Sequence, residues 1–210
     1  MIRVLLVDDH AVVRTGFRLL LHSSAGVEVV GEADSGESAC QRYRELTPEV
    51  TVMDIAMPGM GGIEALRRIR ASDPRARVLA LSAHDDPVHA RRALREGACG
   101  FLSKRSAPET LLEAITAIAA GRQYLDPVVA QQLALGAIGG AESPAERLSE
   151  REFEVFTRLA RGETVARIAE DLSLAASTIG THLYNVKQKL GVSNQSELTL
   201  LAIRHGLLEP

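Results

Sequence analysis

The chain has 210 residues, 46% hydrophobic and 24% charged, with a formal net charge of −3 and 3% aromatic residues. That length accommodates two ordinary domains of roughly 100 residues each, and the apolar content excludes a disordered or low-complexity chain. The slight acid excess excludes a protein that holds nucleic acid or an anionic membrane through bulk charge, so any such surface must be a local patch.

Short β-branched runs alternate with helical stretches through residue 120: IRVLLV, VEVVGEA, EVTVMD, RVLALS and CGFLS, with HAVVRTGFRLLLHS and GGIEALRRIRAS among the segments between them. The alternation predicts five parallel strands, doubly wound, with near-continuous apolar runs buried on both faces. The first run is cut by Asp8 and Asp9, too soon for a signal peptide core or a membrane span, and a cytoplasmic protein with no membrane partner is expected. In the first helix Val12, Val13, Phe17, Leu20 and Leu21 recur at roughly helical spacing. Cys40 and Cys99 lack metal-ligand spacing and read as small buried hydrophobes of a reducing compartment.

Beyond this, RQYLDPVVAQQLAL predicts a short helix with Pro127 at its first position. GAIGGAESPAE, residues 136–146, has linker composition and a flexible reach of roughly 18 Å. From Leu148 four helical segments follow with no strand pattern, which predicts an all-α module. The expected organisation is one domain over residues 1–121, a linker with a short helix over 122–147, and a second domain over 148–210.

Ligands of doubly wound sheets bind outside the carboxyl ends of the strands. There strand one ends in Asp8 and Asp9, strand three in Asp54, strand four in Ser82, and strand five runs through Phe101 to Lys104. Adjacent strands are about 4.8 Å apart, so these carboxylates can share one cation; magnesium, with its hard oxygen ligands, suits them. A carboxylate can itself be a phosphoryl nucleophile. Asp54 is the candidate, with Lys104 as the point charge for the phosphate and Ser82 as a hydroxyl donor. Singly, an Asp at a strand end is usually a cap or a turn residue, and either Asp8 or Asp9 can cap the helix starting at His10. His10 and His84 lie near the site and read as loop residues rather than metal ligands. The joint occurrence on four of the five strand ends is what is specific.

LLVDDH, VMDIAMPGMGG, LSAHDD and GFLSK resemble the receiver domain of two-component response regulators over residues 1 to about 120. The resemblance implies a flavodoxin-like fold in which Asp54 accepts a phosphoryl group from a sensor histidine kinase. It further implies a magnesium site of Asp9, Asp8, Asp54 and the backbone carbonyl of Ala56, with Ser82 as the switching hydroxyl and Phe101 as the aromatic that changes rotamer.

In the second domain, Ile179, Leu183, Val186 and Leu190 of AASTIGTHLYNVKQKLG mark a buried helix face, while Gly180, Thr181, Tyr184, Lys187 and Gln188 lie opposite. Between Ser173 and Ser196 stand two lysines and no carboxylate, which makes this helix the anion-facing surface. Short helix, tight turn and this helix have the helix-turn-helix layout. Residues LSEREF to KLGV resemble the LuxR-type helix-turn-helix, and with the receiver the chain is similar to NarL/FixJ transcription regulators. The resemblance implies contact with double-stranded promoter DNA through Thr178, Thr181, His182, Tyr184, Asn185, Lys187 and Lys189. It also implies a homodimer when active and makes RNA polymerase a further candidate partner. Two positions depart from the family: Gly180 stands where a lysine is common, and Ala175 where a Ser cap is usual. Leu198, Leu201, Ala202 and Leu207 offer either a pairing face or core. The expectation is a regulator and not an enzyme, against a metal-dependent phosphotransferase or phosphatase and a signalling adaptor without DNA as competing readings.

Overall fold

The computed structural model describes residues 1–24, 26–83, 87–106, 108–138, 147–172, 174–205 and 207–208. It divides into two compact units, Met1–Gly139 and Gly140–Pro210. His84, Ser173 and most of the expected linker, residues 139–146, lie outside the described residues.

The first unit runs β1 (Ile2–Val7), α1 (Ala11–His22), β2 (Val27–Ala33), α2 (Gly36–Leu46), β3 (Val50–Asp54), α3 (Gly62–Ser72), β4 (Val78–Ser82), α4 (Pro87–Arg95), β5 (Gly100–Ser103), α5 (Pro108–Ala119), β6 (Tyr124–Leu125) and α6 (Pro127–Ile138). The strands form one sheet in the order β2-β1-β3-β4-β5-β6, and every pairing is parallel. The sheet therefore gains a two-residue sixth strand beyond the five expected, because Gly100 and Phe101 pair with Tyr124 and Leu125 on the way into α6.

Alternation along the strands splits the core in two. Leu5, Val7, Met53, Val78, Ala80 and Phe101 meet α2, α3, α4 and α6 on one face. Val4, Leu6, Val52, Leu79, Leu81 and Leu102 meet α1 and α5 on the other. Helix α1 packs through Phe17, Leu20 and Leu21, whereas Val12 is 85% exposed; five residues before Phe17, it falls off the packed stripe. Cys40 and Cys99 are half-buried free thiols against the two cores. Helix α6, expected within the linker, packs instead on the first unit: Val129 is fully buried in the core that contains Ala90 and Ala93 of α4.

The second unit holds α7 (Glu150–Ala160), α8 (Val165–Asp171), α9 (Ala176–Leu190) and α10 (Gln195–Arg204). Ser149 and Glu152 form a reciprocal capping box at the start of α7, the Glu152 N–H donating to Ser149 Oγ and the Ser149 N–H to the Glu152 carboxylate, and Thr164 and Asn194 cap α8 and α10. Gly191, at φ 68°, closes α9 in the left-handed conformation. Leu198 and Ala202 are fully buried, and α10 is tied to α7 by Gln195 Nε2 donating to the Leu159 carbonyl and Thr199 Oγ1 to that of Ala160. Those two apolar residues are core rather than a pairing face.

Candidate phosphoacceptor site and nucleic-acid interface

Sheet register assembles the acid site. Val7 lies opposite Met53 and Asp54 opposite Leu81, while Ser82 lies opposite Ser103. Asp8, Asp54, Ser82 and Lys104 therefore emerge together at the carboxyl edge, where β1 and β3 leave in opposite directions across the sheet. The exit from β3 stays low: Gly59 turns at φ 73°, and a Cβ on Gly62 would sit 2.0 Å from the Asp54 carbonyl oxygen. Only glycine lets α3 start directly beneath the acid.

Asp8, Asp54 and Ser82 are buried. Lys104 Nζ lies 2.7 Å from Asp54 Oδ2 and 2.5 Å from Asp8 Oδ2, with 14% of its side chain exposed. Its backbone N–H donates to the Ser82 carbonyl at 2.7 Å, which fixes the lysine against the end of β4. The Ala56 N–H donates to Asp54 Oδ1 at 3.0 Å. Burial pushes the Asp54 carboxyl above its ordinary value of 3.8, and Lys104 opposes that push without cancelling it. Burial draws the Lys104 ammonium down, but Asp54 and Asp8 outweigh it and hold the lysine above 10.5.

The donors fit a hard divalent cation. One ligand atom from each of Asp8, Asp9 and Asp54 falls within a 4.8 Å cluster that His10 also joins. Asp8 Oδ2 and Asp9 Oδ1 are buried oxygens that face only the Lys104 ammonium and the His10 ring, and clustered carboxylates of this kind are relieved by a bound cation. Phe101 is fully buried between the strands and α4.

Two features near the site escaped sequence reasoning. The Ser106 hydroxyl, two residues past Lys104, donates to Asp126 Oδ2 at 2.6 Å. Asp126 in turn accepts from the Val128 N–H at 3.0 Å and so caps α6. The Asp-Pro pair announced the cap but not its partner. His10, read as a loop residue, places Nδ1 2.9 Å from Asp9 Oδ1.

In the second unit Thr178, Gly180, Thr181, Tyr184 and Gln188 are exposed, and His182, Asn185 and Lys187 are half-buried. Ile179 and Val186 form the buried face, with Leu183 and Leu190 half-buried beside them. The Thr181 hydroxyl donates to the Ser177 carbonyl at 3.1 Å. Lys189 stands apart from the others: its ammonium lies 2.6 Å from Glu152 Oε2, a buried carboxylate of the α7 cap. It is tied to α7 rather than presented with Tyr184. The sequence carried the Ser-Glu capping box but nothing that aims Lys189 at it. Ala175 caps α9 without a side-chain hydrogen bond.

A doubly wound sheet with acids and a lysine at its carboxyl edge, joined in one chain to a helix-turn-helix, defines the class of signal-receiving, DNA-binding regulators. Residues 4–116 match the response regulator receiver domain, and residues 146–202 match the luxR family of bacterial regulatory proteins. The chain is 40% identical over 211 residues to the response regulator GacA of Pseudomonas viridiflava, covering 100% of this chain and 99% of that one. It is 41% identical over 209 residues to the response regulator UvrY of Escherichia coli strain K12, covering 99% and 96%. Among solved structures it is similar to RcsB of Salmonella enterica serovar Typhimurium bound to promoter P1flhDC with phosphomimetic BeF3−, at 28% identity and TM-score 0.65, covering 95% and 97%. The chain belongs to the response regulators of the NarL/FixJ type, with a LuxR-type helix-turn-helix. It is a phosphorylation-dependent, DNA-binding transcription regulator. No helix among the described residues is long and apolar enough to cross a membrane.

Proposed function

We propose that Asp54 is the phosphoacceptor and that its modification by a sensor histidine kinase controls promoter binding by α9. The observation that carries this reading is Lys104 bridging Asp54 and Asp8 at 2.7 and 2.5 Å: a buried nucleophile with its counter-charge in place. A carboxylate oxygen of Asp54 attacks the phosphorus of the kinase phosphohistidine. The P–N bond breaks, its electron pair returns to the imidazole, and an acyl phosphate forms on Asp54. Lys104 opposes the cost of burying the Asp54 charge and then pairs with the added phosphoryl group. Ser82 donates its hydroxyl to the same group, and Phe101 follows by changing rotamer in the core.

Asp8, Asp9, Asp54 and the Ala56 carbonyl would hold magnesium. Bound there, the ion screens the negative charge on the phosphoryl oxygens. The receiver spans residues 1–121 with β6 and α6 of the segment 122–147 packed on it, and the DNA-reading module spans 148–210. Thr178, Thr181, His182, Tyr184, Asn185 and Lys187 form the DNA face, and the Lys189–Glu152 contact supports a structural role for Lys189. So few cations neutralise few phosphates, so one module binds weakly and a homodimer supplies the rest. RNA polymerase is the downstream partner such a regulator would engage.

The test is gel retardation of random duplexes by the full chain, with and without an acyl-phosphate donor and magnesium, beside measured mass in solution. Donor-dependent retardation and mass increase that Asp54→Ala abolishes are expected. Phosphoryl incorporation that survives Asp54→Ala, or no retarded duplex in either state, sinks the reading.

A further inference from the structure

His10 occupies the N-cap position of α1, yet its side chain makes no capping hydrogen bond. Nδ1 instead turns back to the acids, 2.9 Å from Asp9 Oδ1 and 3.3 Å from Asp8 Oδ1. The backbone fixes this turn, because the His10 N–H donates to Asp8 Oδ1 at 2.8 Å. The ring is 67% exposed, so nothing in the packing forces it onto the carboxylates.

The spacing is that of donors around one ion. With ligands at about 2.1 Å in octahedral geometry, neighbouring donors lie about 3.0 Å apart and opposite donors about 4.2 Å apart. His10 Nδ1 meets the first distance against Asp9 and approaches it against Asp8. Ligand atoms of Asp8, Asp9, His10 and Asp54 all lie within 4.8 Å of one another, slightly beyond the opposite-donor distance, so the side chains close by a fraction of an ångström around a bound ion. Three carboxylates alone make a hard oxygen site suited to magnesium; an imidazole nitrogen changes the preference. Nitrogen ligands favour first-row transition dications over magnesium, rising from manganese through cobalt and nickel to copper and falling again at zinc.

We propose that His10 is a ligand of the cation site at the carboxyl edge of the sheet and biases that site toward first-row transition-metal dications. This rests on the reading of Asp8, Asp9 and Asp54 as a metal site. The imidazole fills a position that water occupies on a magnesium ion, so an ion held through His10 has one fewer exchangeable site for an incoming phosphoryl oxygen. His10 thereby makes phosphorylation responsive to which dication is bound.

The experiment titrates the full chain with Co2+ alone and with Mg2+ alone by calorimetry, for wild type, His10→Ala and His10→Gln, with far-UV circular dichroism to verify folding. The Co2+ form is also examined by proton NMR for a hyperfine-shifted exchangeable imidazole N–H. Wild type should prefer Co2+ over Mg2+, the ratio of affinities should fall at least tenfold in both variants, and the shifted N–H should vanish with the ring. An unchanged ratio in protein that still binds Mg2+ overturns the role of His10 and leaves it a hydrogen-bonding neighbour of Asp9. Wild type that binds neither ion overturns the metal-site reading itself, and this proposal with it.

Discussion

Ser106 and Asp126 are joined by a 2.6 Å hydrogen bond, which couples the loop leaving Lys104 to the first turn of α6. Asp126 is 7% exposed and also caps the helix through the Val128 N–H. Its loss removes a cap and a charge-assisted hydrogen bond at once. Asp126→Ala should cost about 2 kcal/mol in urea unfolding of the first unit and speed amide exchange along α6. Ser106→Ala should speed the same exchange at smaller cost. Exchange in α6 that ignores both substitutions would show that the bond constrains nothing.

Asp54 gives a pH dependence. Burial raises its pKa above 3.8, so the fold favours the protonated acid. The contribution of this group to stability is fully present below pH 3.8 and is lost as pH rises through the raised folded value. Asp54→Asn, isosteric and uncharged, should therefore unfold at higher urea than wild type near neutral pH, with the gap closing in acid. A gap that stays constant with pH would mean that Lys104 compensates the buried charge completely. Magnesium should stabilise wild type and not Asp54→Asn if Asp54 is one of its ligands.

Gly180 is open to repair. A Cβ there would meet no atom within 4 Å, so Gly180→Ala recovers helix propensity without a clash. It should stabilise the second unit by about 1 kcal/mol, read as a higher thermal midpoint. Gly180→Lys should also steepen the salt dependence of DNA binding by roughly one unit of log–log slope. A destabilised Gly180→Ala would mean that the helix needs the glycine for a reason beyond its surroundings in this fold.

Lys187 and Lys189 should separate in the same assay. Lys187→Ala should weaken binding and lower the salt slope by about one, as for a phosphate contact. Lys189→Ala should lower stability and leave the slope alone, since its charge serves Glu152. Burial pushes the Glu152 carboxyl up, but Lys189 and the Ser149 hydrogen bonds outweigh it and hold it below 4.5. The stabilisation from this pair is therefore present above pH 4.5 and lost as pH falls through the depressed folded value. Unfolding of wild type and Lys189→Met from pH 7 to pH 3 should show the two converging in acid; a slope change for Lys189→Ala equal to that for Lys187→Ala would return Lys189 to the DNA face.

The sequence by itself determined the alternation of strands and helices, the acids and lysine on successive strand ends, and the apolar face of α9. These are local: period, turn chemistry and residue type write them into consecutive positions. Tertiary structure decided what depends on register and on encounters between distant segments. Residues 100 and 101 gained a sixth strand because α5 returns the chain beside β5. Val12 shares its apolar character with Phe17 but points to water. Lys189, one of several polar residues on α9, became part of the scaffold because Glu152 lies buried 37 positions away in sequence. Composition marks a lysine as a cation; only the packed helices choose between a carboxylate and a phosphate as its partner.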